Sequence, residues 1–206
     1  MADTGMTQEE TAGMAQLETA GTAQIETAGT AQPETAGTAQ RMATVSAAGA
    51  AENVTVRRMT KEDIEAVLEV ERASFSDPWS GDAFSATLLL PYAHYYVAEV
   101  TEENGRTRIV GECGVRDIVG EGEITNVAVH PDCRGLGIAD RMLEKLLSES
   151  AEKGMTAFTL EVRAGNVPAI SLYEKFGFRT EGVRAGFYKK PVEDALIMWR
   201  RETWRQ

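Results

Sequence analysis

The stretch RGLGIA, residues 134–139, stands between an apolar segment that ends at Val129 and a run with helical periodicity. The first backbone N–H groups of a helix have no partner inside the helix, the helix dipole attracts an anion to them, and glycine lets a ligand approach the main chain. The stretch is therefore typical of a phosphate-binding loop. A glycine-rich surface turn explains its spacing equally well, so both interpretations stay open.

Two common nucleotide-binding loops do not fit this stretch. A Walker A loop requires Lys and then Ser or Thr after its last glycine, where this chain has Ile138 and Ala139. A dinucleotide fingerprint requires a third small residue at the position of Asp140 and glycines that follow the strand directly, whereas residues 130–134 intervene here. Both patterns are therefore excluded.

Metal chemistry and disulfides have little support in the sequence. The chain has two cysteines, Cys113 and Cys133, and two histidines, His94 and His130. A closed structural zinc site needs four ligands close together, and isolated histidines do not provide them. We therefore expect reduced structural thiols and no metal cofactor.

The candidate loop needs strands and helices to hold it, and hydrophobic periodicity predicts them from residue 53 onward. Thr60 and Asp63 are spaced as a helix cap, and Gly154 and Gly177 are positioned to end helices. The predicted order is strand, helix, helix, three strands, helix, strand, helix and two strands. This order favours the α/β class, with a mixed β-sheet and helices on both faces. The strands are expected at residues 53–59, 94–100, 108–118, 122–131, 156–162, 178–188 and 194–201, with a turn at 103–105.

Residues 1–52 differ in composition from the rest of the chain. Four copies of an eight-residue unit of the form ETAGxAQx fill residues 10–41, and no aromatic residue precedes Phe75. Such a segment buries too little apolar surface to offset the entropy lost on ordering, and Pro33 disfavours a stable helix. We therefore predict a disordered low-complexity tail at 1–52 and one folded domain at 53–206.

Charge and hydropathy narrow the classes of partner. The formal net charge is −11, of which residues 1–52, with seven acidic residues and one basic residue, carry −6. An acidic surface repels naked nucleic acid and anionic lipid and favours a basic partner. No apolar run approaches the length of a membrane span, and the N-terminal sequence MADTGMTQEE is unlike a signal peptide. We expect a cytoplasmic protein that binds neither membrane nor nucleic acid.

Two longer segments add information to the glycine loop. NVAVHPDCRGLGIA at residues 126–139 and LEVRAGNVPAISLYEKFGF at residues 160–178 together resemble the GNAT superfamily of N-acetyltransferases, which depend on acetyl-coenzyme A. The loop of that superfamily has the form Arg/Gln-x-x-Gly-x-Gly/Ala. Arg134, Gly137 and Ala139 match it.

Two shorter segments make the resemblance more specific. SFxxPWS at residues 74–80 and EDALIM at residues 193–198 look like the RimI type, the alanine N-acetyltransferases of ribosomal protein N-termini. The resemblance covers roughly residues 54–200. It implies the GNAT fold, in which a central mixed sheet splays apart to admit acetyl-CoA.

The resemblance also implies where acetyl-CoA binds. The cofactor would lie where two parallel strands, 123–129 and 156–162, separate, and one main-chain N–H of the first strand would polarise the thioester carbonyl. The glycine loop would hold the pyrophosphate, and Asn166 would hydrogen-bond the cofactor arm. The implied cofactor-binding residues are Val127, Ala128, Val129, Arg134, Gly135, Leu136, Gly137, Ile138, Ala139, Asp140 and Asn166.

Two further positions match the catalytic residues of the RimI type. An α-amino group has a pKa of about 8, so a base must remove a proton before or during attack on the thioester. Glu161 matches that base, acting through a water, and Tyr173 matches the acid that protonates the departing thiolate. By position alone, Glu161 would be a solvated charge at a strand end, and Tyr173 an aromatic residue packed with Phe176 and Phe178.

The acceptor side and two departures from the family pattern complete the candidate site. Trp79 and Tyr188 are either walls of a substrate groove, as the resemblance implies, or core aromatics. Asp140 stands where relatives often carry Arg, and an acid in the first helical turn opposes a pyrophosphate unless its side chain points outward. The pair Phe187-Tyr188 offers one hydroxyl where two are common.

The resemblance predicts transfer of acetyl from acetyl-CoA to the N-terminal α-amino group of a protein, with an N-terminal alanine of a small-subunit ribosomal protein as the expected acceptor. A basic peptide N-terminus would suit this acidic chain. Two alternatives stay open. One is an acetyltransferase for a small-molecule amine or a protein lysine, and the other is a non-catalytic acyl-CoA-binding or scaffold protein.

Overall fold

The computed structural model describes residues 54–101 and 105–201, so the predicted tail at 1–52, residues 103 and 104 of the predicted turn, and residues 53 and 202–206 of the predicted domain lie outside the described residues. The strands are β1 (Val54–Arg58), β2 (Ala93–Thr101), β3 (Thr107–Ile118), β4 (Glu121–Val129), β5 (Ala157–Arg163), β6 (Arg179–Lys189) and β7 (Val192–Arg201). The helices are α1 (Ile64–Ser74), α2 (Gly81–Thr87), α3 (Ile138–Glu152) and α4 (Val167–Lys175), with 3-10 turns at Lys61–Asp63 and Pro131–Cys133. None of these described helices has the length and hydropathy of a membrane span.

The seven described strands form one sheet in the order β1-β2-β3-β4-β5-β7-β6. Neighbouring strands are antiparallel except β4 and β5, which run parallel. Helix α3 connects these two strands, because a parallel pair needs a long crossover rather than a tight turn. The predicted order of elements and the mixed sheet of the α/β class are confirmed.

Helices cover both faces of the sheet, because alternate residues of a strand point to opposite sides. On one side, called the α1 face here, Tyr95 of β2 packs with Val67 of α1 and Phe84 of α2. On the other side, the α3 face, Tyr96 packs in a larger cluster with Met142 of α3, and α4 contributes to the same cluster. The prediction of helices on both faces is confirmed.

Local signals begin and end the helices as expected from the sequence. The Asp63 carboxylate accepts a hydrogen bond from the Thr60 backbone N–H at 2.7 Å, which caps the turn that leads into α1. Gly154 and Gly177 follow α3 and α4 with φ of 96° and 87°, in the left-handed region that glycine adopts readily. Both helices pack on the α3 face of the sheet.

Candidate active site

Strands β4 and β5 pair along only part of their length. Their parallel register ends where Glu123 faces Thr159, although β4 continues to Val129 and β5 to Arg163. The strands therefore separate toward their C-terminal ends. This finding confirms the splayed sheet and creates an opening, called the β4–β5 gap here.

The main chain of β4 presents alternate residues to this gap. His130 donates its backbone N–H to a β3 carbonyl at 2.8 Å, and the register pairs Ala128 with Glu112 of β3. In an antiparallel pair, every second residue of a strand is hydrogen-bonded to the neighbouring strand. Since His130 is bonded to β3, so is Ala128, and the N–H and C=O groups of Val127 and Val129 point the other way, into the gap. Val127 and Val129 thus offer the main-chain groups that a bound pantetheine arm would meet.

The glycine loop leads from the end of β4 into α3. Gly135 and Gly137 have φ of 76° and 71°, and Gly137 is the residue immediately before the first turn of the helix. A Cβ atom at either position would meet no heavy atom within 4 Å. Glycine is therefore required here by the left-handed backbone and not by crowding, and the main chain of the loop stays open to a ligand.

A cavity of about 590 Å³ lies between the glycine loop, the end of β4 and helix α4. Volumes of this order are typical of cofactor and small-ligand sites. Most of the predicted cofactor-binding residues line it, namely Val127, Val129, Arg134, Gly135, Gly137, Ile138, Ala139 and Asp140. Ala128, Leu136 and Asn166 are not in its lining, whereas Tyr173 and Lys175 of α4 are.

Two buried polar atoms of the cavity residues have no hydrogen-bond partner within the described ranges, Arg134 Nη2 and the Tyr173 hydroxyl. Arg134 Nε donates to the Val129 carbonyl at 3.1 Å, which fixes the guanidinium against the end of β4. Burial lowers the pKa of Arg134, yet an arginine keeps its charge in proteins. A buried guanidinium N–H with no protein acceptor fits an anionic ligand such as a pyrophosphate.

Asp140, the departure from the family pattern, is compensated by a residue that sequence reasoning missed. Its carboxylate forms an ion pair with the Lys175 ammonium at the last turn of α4. Both residues line the cavity. The first turn of α3 therefore does not present an unpaired negative charge to a bound phosphate.

The remaining predicted cofactor-binding residues have local structural roles. Asn166 precedes α4, and its Oδ1 accepts the Ala169 backbone N–H at 3.2 Å as a helix cap. The Leu136 side chain packs against the core of the α3 face. Ala128 packs with Val70 on the α1 face. A contact between the Asn166 side chain and the cofactor arm stays a prediction.

Tyr173 reaches the β4–β5 gap from the α3 face. Its ring is fully buried in the large core cluster and packs edge-on against Phe178 with 5.8 Å between ring centroids. Burial raises the pKa of the Tyr173 phenol well above its ordinary value. The hydroxyl therefore keeps its proton near neutral pH. The packing expected from position alone and the chemistry implied by the resemblance are both compatible with this placement.

Glu161 approaches from the opposite face. It alternates in β5 with Leu160 and Val162, which belong to the core of the α3 face, so its side chain points to the α1 face. Its Oε1 lies 2.8 Å from Arg184 Nη1 of β6. Burial raises the pKa of the Glu161 carboxyl, Arg184 opposes this shift, and Glu123 reinforces it. Glu161 is thus half-buried and paired, and not the freely solvated charge that its position alone indicates.

A bulge in β4 turns polar side chains toward the same α1 face. The register with β3 shifts at Gly114, so that Thr125 is an extra residue in β4. The Thr125 hydroxyl lies 2.6 Å from the Tyr95 hydroxyl, and Asn126 Nδ2 donates to Glu71 Oε1 at 3.3 Å. This polar group lies where β4 begins to separate from β5.

Glu71 and Glu112 form a buried acidic pair beneath this bulge. Glu71 also accepts the Trp79 backbone N–H at 2.8 Å. Burial raises the pKa of both carboxyls, and the Glu71 carboxyl raises that of Glu112 further. No group of three or more His, Cys, Asp or Glu side chains occurs at metal-binding distances in the described part of the chain.

The two aromatic candidates for the acceptor side occupy different settings. Trp79 packs against Phe84 and Tyr95, with ring centroids 5.2 Å and 6.1 Å away, so it belongs to the core of the α1 face. The Tyr188 hydroxyl donates to the Glu161 carbonyl at 3.3 Å. Tyr188 therefore lies beside the predicted base, whereas Trp79 supports the wall formed by the loop between α1 and α2.

A basic residue ties the β6–β7 turn to this region. Arg163 of β5 donates to the Lys190 and Pro191 carbonyls at 3.0 Å and 3.2 Å, and its guanidinium lies 4.0 Å from the Tyr188 ring centroid. Ser76, in the loop after α1, donates to the Lys190 carbonyl at 2.8 Å. Two chain segments distant in sequence thus meet near the C-terminal end of β5.

Sequence reasoning missed the residues that surround the predicted acid and base, above all Lys175, Arg184 and the Glu71–Glu112 pair. A signal was present for Glu112, because a carboxyl stands in the otherwise apolar strand VGECGV. No local signal connects Arg184 with Glu161, since β7 lies between their strands.

Comparison with known proteins agrees with this geometry. The acetyltransferase (GNAT) family matches residues 64–178. A Bacillus subtilis protein, provisionally named as a ribosomal protein bS18-alanine N-acetyltransferase, is 41% identical over 145 residues, which are 70% of this chain and 93% of the relative. The Escherichia coli K12 enzyme of that name is 30% identical over 146 residues, or 70% of this chain and 95% of the relative.

Solved structures show the same fold. The crystal structure of the Escherichia coli ribosomal-protein-S18-alanine N-acetyltransferase superimposes with a TM-score of 0.65 at 26% identity, over 74% of this chain and 98% of the other. Ard1 from Thermoplasma volcanium gives a TM-score of 0.64 at 24% identity, over 73% and 99%, and shows the fold alone. The family match, the sequence relatives and the splayed sheet together establish that the chain belongs to the acetyltransferase (GNAT) family, whose acetyl donor is acetyl-CoA.

Proposed function

We propose that this protein transfers acetyl from acetyl-CoA to the N-terminal α-amino group of a protein, and that the acceptor is the N-terminal alanine of ribosomal protein bS18. The names of the Bacillus subtilis and Escherichia coli relatives support this acceptor. Under this proposal the enzyme works in the cytoplasm, where ribosomal proteins are made. A basic ribosomal protein also suits the net charge of −11.

The observation that carries the proposal is the placement of Glu161 and Tyr173 on opposite faces of the β4–β5 gap. An acyl transfer to an amine needs a base on the side from which the amine arrives and an acid on the side to which the thiolate departs. The loop after α1 contacts the β6–β7 turn, which Arg163 holds two residues along β5 from Glu161, whereas the glycine loop and the cavity border Tyr173. The amine and the cofactor would therefore enter from different sides.

The chain's own groups then have distinct roles in the proposed reaction. Acetyl-CoA supplies an activated acetyl group, and Arg134 with the loop main chain would hold its pyrophosphate. A main-chain N–H of Val127 or Val129 would polarise the thioester carbonyl. Glu161, through a water, removes a proton from the ammonium, and the free amine then attacks the thioester carbon to form the C–N bond. Tyr173 donates its proton to the sulfur as the C–S bond breaks. The second proton that the nitrogen loses as the amide forms restores the phenol of Tyr173 through solvent.

Direct acetylation of peptides tests the proposal. The full-length protein is incubated with acetyl-CoA and a peptide copying the N-terminus of bS18, and the products are read by mass spectrometry. We expect one acetyl group on the α-amine and none on a peptide of the same sequence with a blocked N-terminus. Acetylation of a polyamine, an aminoglycoside or a lysine peptide, with no product from the bS18 peptide, would replace the proposal with the corresponding alternative.

Targeted variants separate catalysis from a scaffold function. If the protein is an enzyme, Glu161→Gln and Tyr173→Phe should each depress turnover while deletion of residues 1–52 leaves it unchanged. The opposite pattern, in which the deletion alone alters behaviour in cells, would support a non-catalytic protein that works through its repeats.

A further inference from the structure

Arg184 is the cationic partner of Glu161, and nothing in the proposed reaction uses it. Its Nη1 lies 2.8 Å from Glu161 Oε1, and its side chain is 53% exposed against 14% for Glu161. The guanidinium also lies over the Phe187 ring, 5.1 Å from the centroid. The contact crosses β7, since Arg184 pairs with Ala195, whose small side chain leaves room for a long residue to reach over the strand.

The second guanidinium on this face is engaged elsewhere. Arg163 also pairs with Ala195, from the other side of β7, so it shares a face with Arg184. Its Nη1 lies 3.2 Å from Glu193 Oε2, and its guanidinium also donates to the carbonyls of the β6–β7 turn. Arg163 therefore holds the turn, whereas Arg184 holds the carboxylate.

An acceptor α-ammonium carries the same charge as this guanidinium and must approach the same carboxylate. An ion pair with one largely exposed partner is weak, because water and salt screen it. Such a pair is strong enough to orient a half-buried carboxylate and weak enough to give way to a substrate cation. The Phe187 ring, over which the guanidinium already lies, can keep stacking with it after it leaves Glu161, since arginine stacks favourably on aromatic rings.

We propose that Arg184 is a positioning residue for Glu161, which holds the carboxylate ionised and oriented until the acceptor ammonium displaces the guanidinium. This inference rests on the proposed function and adds a regulatory step to its site. It assigns Arg184 no contact with the acetyl group. Under this proposal the acceptor ammonium and the Arg184 guanidinium compete for the Glu161 carboxylate.

If Arg184 positions Glu161, removing Arg184 should change the pH dependence of the base. Removing a residue with a purely structural role would not. The charged groups that shift the pKa of Glu161 are Arg184 of β6 and Glu123 of β4. The Tyr188 hydroxyl donates a hydrogen bond to the Glu161 backbone carbonyl. Without Arg184, burial and Glu123 both raise the pKa of Glu161. An opposite charge at this distance lowers the pKa of a carboxyl, so the loss of Arg184 should raise the pKa of Glu161 further, although exposure of Arg184 limits the effect because water screens its charge.

The experiment compares Arg184→Gln with wild type and with two controls. Arg184→Lys keeps the charge and should retain most of the wild-type behaviour. Arg201→Gln removes a similarly exposed arginine of β7 that pairs with Glu181 of β6. The ratio kcat/KM is measured across pH with one bS18 peptide, so that the titration of the peptide amine is common to all variants.

We expect the acid limb of the Arg184→Gln profile to move up by about one pH unit, which is about a tenfold loss on the acidic side. Above the limb, KM for the peptide should equal or fall below the wild-type value, because no guanidinium has to be displaced. The Arg201→Gln profile should match wild type. An acid limb that stays in place, or a KM that rises above the limb, overturns the proposal.

A second measurement needs no acceptor. Carbon-13 NMR of the labelled glutamate carboxyls in the free protein, with Glu161 assigned by its loss in Glu161→Gln, follows the titration directly. The Glu161 carboxyl should titrate at higher pH in Arg184→Gln than in wild type, and an unchanged titration overturns the proposal. If wild type fails to acetylate the peptide, the proposed acceptor is wrong, and the NMR result still decides the pairing of Arg184 with Glu161.

Discussion

Glu112 lies against Glu71 in the interior of the α1 face, and a hydrogen bond between the two carboxyls favours the proton on Glu112. Glu71 also accepts hydrogen bonds from Asn126 and from the Trp79 main chain. Two adjacent carboxylates cannot both be ionised away from water at an acceptable cost, so one proton stays on the pair. That proton lets Glu71 hold the β4 bulge and the loop after α1 in one arrangement.

Replacing Glu112 with Gln should make folding stability less dependent on pH. Burial and the Glu71 carboxyl raise the pKa of Glu112 well above its ordinary value, so the folded protein keeps a proton that the unfolded chain loses above about pH 4. The resulting stabilisation is complete below that pH and is lost at about 1.4 kcal/mol per pH unit as pH rises through the folded-state pKa. Glutamine does not titrate, so the melting temperature of Glu112→Gln should fall less than that of wild type from about pH 5 to about pH 8.

Glu144→Gln, which removes an exposed carboxyl from α3, is the matched control. Thermal unfolding at each pH gives the melting temperatures of the three proteins. Parallel curves for Glu112→Gln and wild type would contradict a proton held at Glu112.

The ion pair between Asp140 and Lys175 should support CoA binding. Removing the ammonium in Lys175→Ala leaves a carboxylate at the cavity rim, where it repels the pyrophosphate. Lys175 is 67% exposed, so screening limits the loss to roughly 0.3–1 kcal/mol, or about twofold to fivefold in Kd. Calorimetric titration with CoA measures this change.

The second substitution in Asp140→Asn/Lys175→Ala should restore the affinity lost in Lys175→Ala, because it removes the repelling charge. Lys153→Ala, at the opposite end of α3, controls for the loss of one positive charge. Equal Kd values for Lys175→Ala and Lys153→Ala would show that the pair has no influence on the cofactor.

The sequence predicts the scaffold of this site because its determinants are local. Gly135 and Gly137 mark the turn into α3 by their backbone requirements, and Thr60 with Asp63 marks a helix start three residues apart. The contacts that tune the site are not local. Lys175 and Asp140 are 35 positions apart, and Glu71 and Asn126 are 55 apart.

These tuning contacts depend on the order of strands in the sheet. Arg184 reaches Glu161 because β7 inserts between β5 and β6, and the backbone groups of Val127 and Val129 face the gap because of the phase of the β3–β4 ladder. Periodicity predicts that each strand exists but not which strand lies beside it. The charge environment of the base and the compensation of Asp140 therefore follow from the topology and not from any single segment.

Arg134→Ala should weaken CoA binding strongly. The substitution removes a buried guanidinium whose Nη2 has no acceptor among the described residues and whose Nε is held by the Val129 carbonyl. Hydrogen bonds to a charged group contribute about 1.5–3 kcal/mol, which is roughly tenfold to a hundredfold in Kd. The rise in melting temperature caused by saturating CoA should shrink in proportion. Arg134→Lys keeps the charge without the planar guanidinium, so its Kd for CoA should lie between those of wild type and Arg134→Ala. If Arg134→Ala binds CoA like wild type, Arg134 is excluded from the pyrophosphate site.

Tyr173→Phe should separate activity from stability. The Tyr173 hydroxyl is buried without a described partner, so its removal breaks no described hydrogen bond and relieves the desolvation of a polar group. The melting temperature should stay equal to that of wild type or rise, and the ring should keep its packing against Phe178. If this hydroxyl protonates the departing thiolate, kcat should still fall by about 10²-fold or more, with little change in the Kd for CoA. A parallel loss of stability and activity would instead mean that the hydroxyl is structural, and an unchanged kcat would assign the proton to another donor.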